Sequence, residues 1–130
     1  MPDYRDIANV SDHEHEAYLA DVHHNLARHE GRYRIHRKLS AEANEHFADN
    51  SLDFVYLDAD HAYEAVAADI RRWFCKLRPG GILAGHDFLD GILPEGDFGV
   101  TTAVQEFGTE MGVYPVVTQE RWPSWYLVKP

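Results

Sequence analysis

Apolar residues recur at helical spacing along 61–77. Tyr63, Val66, Ala67, Ile70, Phe74 and Leu77 fall on one face and predict an amphipathic helix. Just before it, Leu52 to Leu57 is a nearly unbroken apolar run of strand length, the pattern of a strand covered by helices on both faces. Arg78-Pro79-Gly80-Gly81 stops the helix and turns the chain, and Ile82-Leu83-Ala84-Gly85 then reads as a second buried strand. Residues 88–98 carry Gly and Pro and read as a loop. Val104, Phe107 and Met111 mark a helix near 100–111. Tyr114 to Thr118 and Ser124 to Val128 are short strands, close enough around Trp122-Pro123 to pair antiparallel.

The N-terminal third is weaker in pattern. Residues 11–29 predict a helix capped by Ser11 or Asp12 and ended at Gly31. Its stripe of Leu19, Val22 and Leu26 is narrow, as on a peripheral helix. Tyr33–His36 reads as a short strand. Ser40 is placed to cap a short helix over 41–47 that packs through Ala43 and Phe47. The alternation of strands and helices predicts an α/β fold with a mainly parallel sheet. The 130 residues fit one domain, 1–130.

Composition narrows the function classes. The net charge of −10 argues against nucleic acid or an anionic membrane surface as the main partner. The N-terminal stretch MPDYRDIANVSDHEHE has no apolar core of a signal peptide, and no run approaches the ~20 apolar residues of a membrane span. A single cysteine, Cys75, allows no internal disulfide. These features suit a cytoplasmic protein acting on a small molecule.

The chemistry concentrates at LDFVYLDADHAYEAV, residues 52–66. In parallel sheets, ligands bind beyond the carboxyl ends of the strands. Asp58 and Asp60 follow one predicted strand, and His86 and Asp87 follow the next. Strands ~4.8 Å apart bring these side chains to one pocket. Carboxylates so gathered suit a divalent cation, or a general base beside a hydroxyl. Asp60 also stands where an aspartate caps the helix beginning near His61.

Other candidates are plainer. His13, His15, His23, His24 and His29 contain no i, i+4 pair and read as a solvated surface. Trp122, Trp125 and Tyr126 suit core or interface packing, or stacking on a planar ligand. Cys75 follows a core position and has no histidine beside it in sequence.

The stretch DFVYLDADHAYEAVAADIRRWFCKLRPGGILAGHDF, residues 53–88, resembles the second half of a class I S-adenosylmethionine-dependent methyltransferase. More narrowly, it is similar to macrocin-type sugar O-methyltransferases and cephalosporin-hydroxylase-like proteins. The resemblance implies a Rossmann-like sheet, mostly parallel, with a final antiparallel strand. It implies S-adenosylmethionine as cofactor and Mg²⁺ or another divalent cation. Asp58 and Asp87 match metal-ligand positions of that family, and Asp60 a proposed general base. His86 stands where many relatives have an acidic residue, and is taken with the metal ligands. Ser40 lies in the region that approaches the adenine, and Asp58 also borders the cofactor. Trp73 and the Pro79-Gly80-Gly81 turn match structural positions.

Members of that family bind the cofactor with a glycine-rich turn after their first strand. No G-x-G occurs in these 130 residues. The resemblance therefore implies a chain that starts after the first two family strands. It leaves two alternatives, a methyltransferase or a non-catalytic module acting in binding or assembly. The apolar edge of the 52–57 strand is then expected to be covered, by Tyr33–His36, by a second copy or by a partner chain.

Overall fold

The computed structural model describes residues 9–130. They gather into two compact units within the 130 residues, divided between Arg37 and Lys38. The first holds helix α1, Asp12–Leu26, and a 3-10 turn, Ala27–His29. Ser11 starts α1 with a reciprocal cap. Its Oγ accepts the Glu14 N–H at 3.3 Å, and its own N–H donates to Glu14 Oε2 at 3.0 Å. The stripe is as shallow as its sequence suggests: no residue of α1 is buried. Tyr33–His36 is irregular and supplies no strand to a sheet, against expectation. A run of four residues with three polar ones has little to bury and no neighbouring ladder to join.

The second unit runs through α2 (Ser40–Asn44), β1 (Leu52–Leu57), α3 (Tyr63–Phe74), β2 (Leu77–Gly85), β3 (Asp90–Leu93), β4 (Gly96–Gly99), α4 (Val100–Met111), β5 (Val116–Val117) and β6 (Trp125–Val128). β1, β2, β6 and β5 form one sheet in that order. β1 and β2 are parallel, while β6 runs antiparallel to both β2 and β5. The result is a mixed α/β sheet with one reversed strand.

Register sorts the side chains. Val55 lies beside Leu83, and Leu83 beside Leu127. This row is buried with Ile70 and Phe74 of α3 and Val104 and Phe107 of α4. The opposite row holds Phe54 and Tyr56, which are 56% and 47% exposed, and Tyr126 and Val128 beyond them. Helices α3 and α4 thus cover one face of β1. The expectation of burial on both faces is corrected: an apolar run reports a strand's composition, but each face needs its own covering layer.

Three boundaries also move. The Pro79-Gly80-Gly81 turn lies inside β2. Gly80 takes φ +78°, and the pairing with β1 shifts register between Leu52 and Phe54. The loop over 88–98 is largely a hairpin, β3 with β4. The short helix begins at Ser40, so Ser40 is not its cap. Its hydroxyl instead accepts the Trp73 indole N–H at 2.8 Å, and Phe47 packs against the same ring.

Candidate functional site

The carboxyl ends of β1 and β2 lie side by side, because Leu57 pairs with Gly85. That contact is closed by glycine. A Cβ on Gly85 would stand 2.6 Å from the Trp125 ring and 2.8 Å from Leu57 O. The chain leaving β1 carries Asp58 and Asp60, and the chain leaving β2 carries His86 and Asp87. The His86 N–H donates to Leu57 O at 3.1 Å, which ties the two exits together.

Asp60 does not cap α3. The N-cap is Ala62, and Asp60 Oδ1 accepts the Ala62 N–H at 2.8 Å in a turn just outside the helix. The turn moves the helix start from His61 to Tyr63. His61 is thereby left in the connection, its ring directed at the strand ends.

Asp87 is the centre of the arrangement. It is buried, 8% exposed, and held at φ +53°, a left-handed conformation that aspartate tolerates better than most residues. His61 Nε2 lies 2.9 Å from Asp87 Oδ2, and His86 Nδ1 lies 3.0 Å from Asp87 Oδ1. Each carboxylate oxygen thus has an imidazole nitrogen. The His61 ring stacks on Phe98 of β4, with centroids 4.8 Å apart, and its carbonyl accepts the Gly99 N–H at 2.9 Å. Gly99 must be glycine here, since a Cβ would stand 2.6 Å from Tyr63 Cβ.

Asp58, His61 and Asp87 each offer one ligand atom, all within 4.8 Å of one another. Among the described residues these three form the group suited to a cation. His86 is outside it, with Nδ1 3.0 Å from Asp87 Oδ1. Asp58, Asp60, His61, Asp69, His86 and Trp125 line a small cavity with about 20 Å³ of room for water-sized occupants. That space suits an ion with a water, and is far below what a nucleoside fills. Ser40 does not line it.

The sequence pointed to Asp58, Asp60, His86 and Asp87; Asp58, Asp60 and His86 line this cavity, and Asp87 meets His61 and His86 beside it. The structure adds His61. The available signal was its place three residues after Asp58 in the strand-to-helix connection. Elsewhere, Trp125 is core, Trp122 packs against Phe98, and Cys75 is exposed with Sγ 3.0 Å from Arg72 O. His13, His15, His23 and His24 are exposed along α1.

The profile of a methyltransferase domain family matches residues 3–88. An uncharacterized protein of Sinorhizobium fredii is 32% identical over 74 residues, which is 54% of this chain and 8% of that protein. A solved protein from Bordetella parapertussis matches 88% of this chain and 50% of its own, with TM-score 0.66 and 16% identity. An O-methyltransferase family protein from Burkholderia thailandensis matches 88% of this chain and 40% of its own, with TM-score 0.62 and 18% identity. At such identities the likeness is one of fold. The chain spans half or less of the length of each of these proteins.

Proposed function

The chain belongs to the methyltransferase domain family, and from that premise we propose that it serves S-adenosylmethionine-dependent methyl transfer to a small-molecule hydroxyl, assisted by a divalent cation. Within the family we place it with the macrocin-type sugar O-methyltransferases and cephalosporin-hydroxylase-like proteins, on the strength of residues 53–88. The observation that carries the reading is the approach of Asp58 and Asp87 where two adjacent parallel strands end, with Asp58 and Asp60 lining the cavity there.

The donor chemistry fits a cation: carboxylate oxygens of Asp58 and Asp87 approach one another beside a cavity of ion size. When bound, the cation lowers the pKa of a coordinated hydroxyl and S-adenosylmethionine offers an electrophilic methyl. In this reading Asp58 and Asp87 hold the cation. Asp60 accepts the proton of the acceptor hydroxyl, since a carboxylate that binds Ala62 N–H keeps further acceptor capacity. His86 steadies Asp87 through the Oδ1 contact. The cavity beside these carboxylates does not fit the nucleoside in the same way. The cavity is small, and Ser40 is engaged with Trp73, so no step is drawn through the methyl donor.

That mismatch favours a second reading, a binding or assembly module of the same family without catalysis by this chain alone. We propose in either case that the outer edge of β1 is closed by a second copy or a partner chain. The support is that no described strand pairs with that edge, while Phe54 and Tyr56 stand exposed along it.

Calorimetric titration with S-adenosylmethionine and Mg²⁺ tests the first reading. Binding of both, with the cation response lost in Asp58→Ala and Asp87→Ala, is the expected result. A folded chain giving no heat with the methyl donor excludes catalysis by this chain alone and leaves the module.

A further inference from the structure

We propose that His61 is a nitrogen ligand of the cation, and that the site takes an ion of the Zn²⁺, Co²⁺ and Ni²⁺ class in preference to Mg²⁺ or Ca²⁺. This deepens the cation part of the reading above and rests on it. The resemblance implied Asp58, Asp87 and His86, and this inference puts His61 in the place of His86.

Geometry makes the exchange. His61 offers a ring nitrogen, and Asp58 and Asp87 one carboxylate oxygen each, all within 4.8 Å of one another. Donors bound at ~2.1 Å to one ion lie about 3–4 Å apart, so small side-chain adjustments complete the set. His61 Nε2 already stands 2.9 Å from Asp87 Oδ2, a spacing of neighbouring ligands. To ligate, Nε2 is the unprotonated nitrogen of a neutral imidazole whose hydrogen sits on Nδ1.

The imidazole is held for that task. Its ring stacks on Phe98, which packs in turn against Trp122. Its backbone is fixed by the Gly99 N–H. His61 is also shielded, with a side chain 17% exposed, so a nitrogen donor is presented from the protein side. His86 instead meets Asp87 Oδ1 through Nδ1 and acts as an outer partner that orients the carboxylate.

The metal class follows from the donors. Oxygen-only sites suit Mg²⁺ and Ca²⁺, which take six or more oxygen ligands. One imidazole with two carboxylates shifts preference to Zn²⁺, Co²⁺ and Ni²⁺, with water or an acceptor hydroxyl completing the shell. The cavity has room for such a small ligand.

The test is titration of the full chain with Co²⁺ and, separately, Mg²⁺, by calorimetry and by visible absorption for Co²⁺. It is run in a background where the exposed His13, His15, His23, His24, His36 and His46 are alanine, so that exposed histidines contribute nothing. The expected result is one Co²⁺ per chain, displaced by Zn²⁺ and not by Mg²⁺. His61→Ala lowers Co²⁺ affinity by about tenfold or more, since even an outer partner is worth that. It leaves Mg²⁺ affinity unchanged, so the Co²⁺/Mg²⁺ ratio falls. His86→Ala weakens both ions together and keeps the ratio. His61→Asn gives the same ratio readout if the alanine variant melts early. An unchanged ratio in the His61 variants, tighter binding of Mg²⁺ than Co²⁺, or a folded chain that binds no Co²⁺ overturns the inference. Binding of the methyl donor is measured apart from the metal titration. A site that binds it and responds to Mg²⁺ alone keeps the functional reading while this one falls.

Discussion

Gly85 joins the core to the site at single-residue scale. A Cβ there would overlap the Trp125 ring and Leu57 O, neither of which can yield without moving β6 or β1. Gly85→Ala is expected to cost about 3 kcal/mol, the upper end for overpacking. Urea unfolding measures it, and a midpoint equal to wild type would show that the strands part easily. Asp60 has two separable duties. Asp60→Asn keeps the turn bond to Ala62 N–H and removes the base, whereas Asp60→Ala removes both. Stability is expected to fall by about 1 kcal/mol in the alanine variant alone. Methyl transfer, if assayed with a suitable acceptor, falls in both. Equal melting of the two variants would remove the structural duty. The residue scale was partly legible: carboxylates at strand ends are a sequence signal, but the left-handed φ of Asp87 is not.

Elements are held by a few polar ties around an apolar layer. α3 and α4 meet through Phe74 and Phe107, whose rings pack edge to face at 4.9 Å. Across the surface, Arg71 binds Glu110 with both guanidinium nitrogens, at 3.0 and 2.5 Å. That hydrogen bonding, opposed by some desolvation, holds the Glu110 carboxyl below its ordinary value of 4.5. A group whose pKa is lowered by folding adds stability above its unfolded value. The contribution is lost as pH falls through the lower folded value. Glu110→Gln is therefore expected to be less stable than wild type at neutral pH, with the gap closing as pH drops below 4.5. The pair is exposed, so the gap is small. Thermal melts across that range check the sign, and a gap that widens in acid would refute it. The helix positions were readable from period alone. The hairpin β3–β4 was not, because its residues, Asp90 to Gly99, lack alternation and its pairing rests on turn geometry.

At the largest scale, helices of the second unit cover one face of its sheet, and no described strand pairs with the outer edge of β1. An apolar edge strand with exposed aromatics on its flank is a template for pairing. If another copy closes it, light scattering gives twice the chain mass. Phe54→Glu with Tyr56→Glu then returns it to a monomer without unfolding, since neither side chain belongs to the buried cluster. A stable folded monomer of the wild-type chain, alone and with cell extract, would leave the edge open and remove the proposal.

Taken by itself, the sequence determined the strand at 52–57, the helices near 61–77 and 100–111, the strand at 82–85, the α/β class, the antiparallel pairing of the last two strands and the carboxylates of the site. Those follow from local period, breaker residues and the strand-end rule, all of which act along the chain. The tertiary structure alone decided which face of β1 is covered, since that depends on layers supplied from elsewhere. It also brought His61 within reach of both Asp58 and Asp87, while His86 meets Asp87. The Asp60 turn delays α3 by two residues, and Phe98 from a distant hairpin fixes the ring. The turn is local but the Phe98 contact is not, so the pattern within residues 52–66 shows only part of this placement.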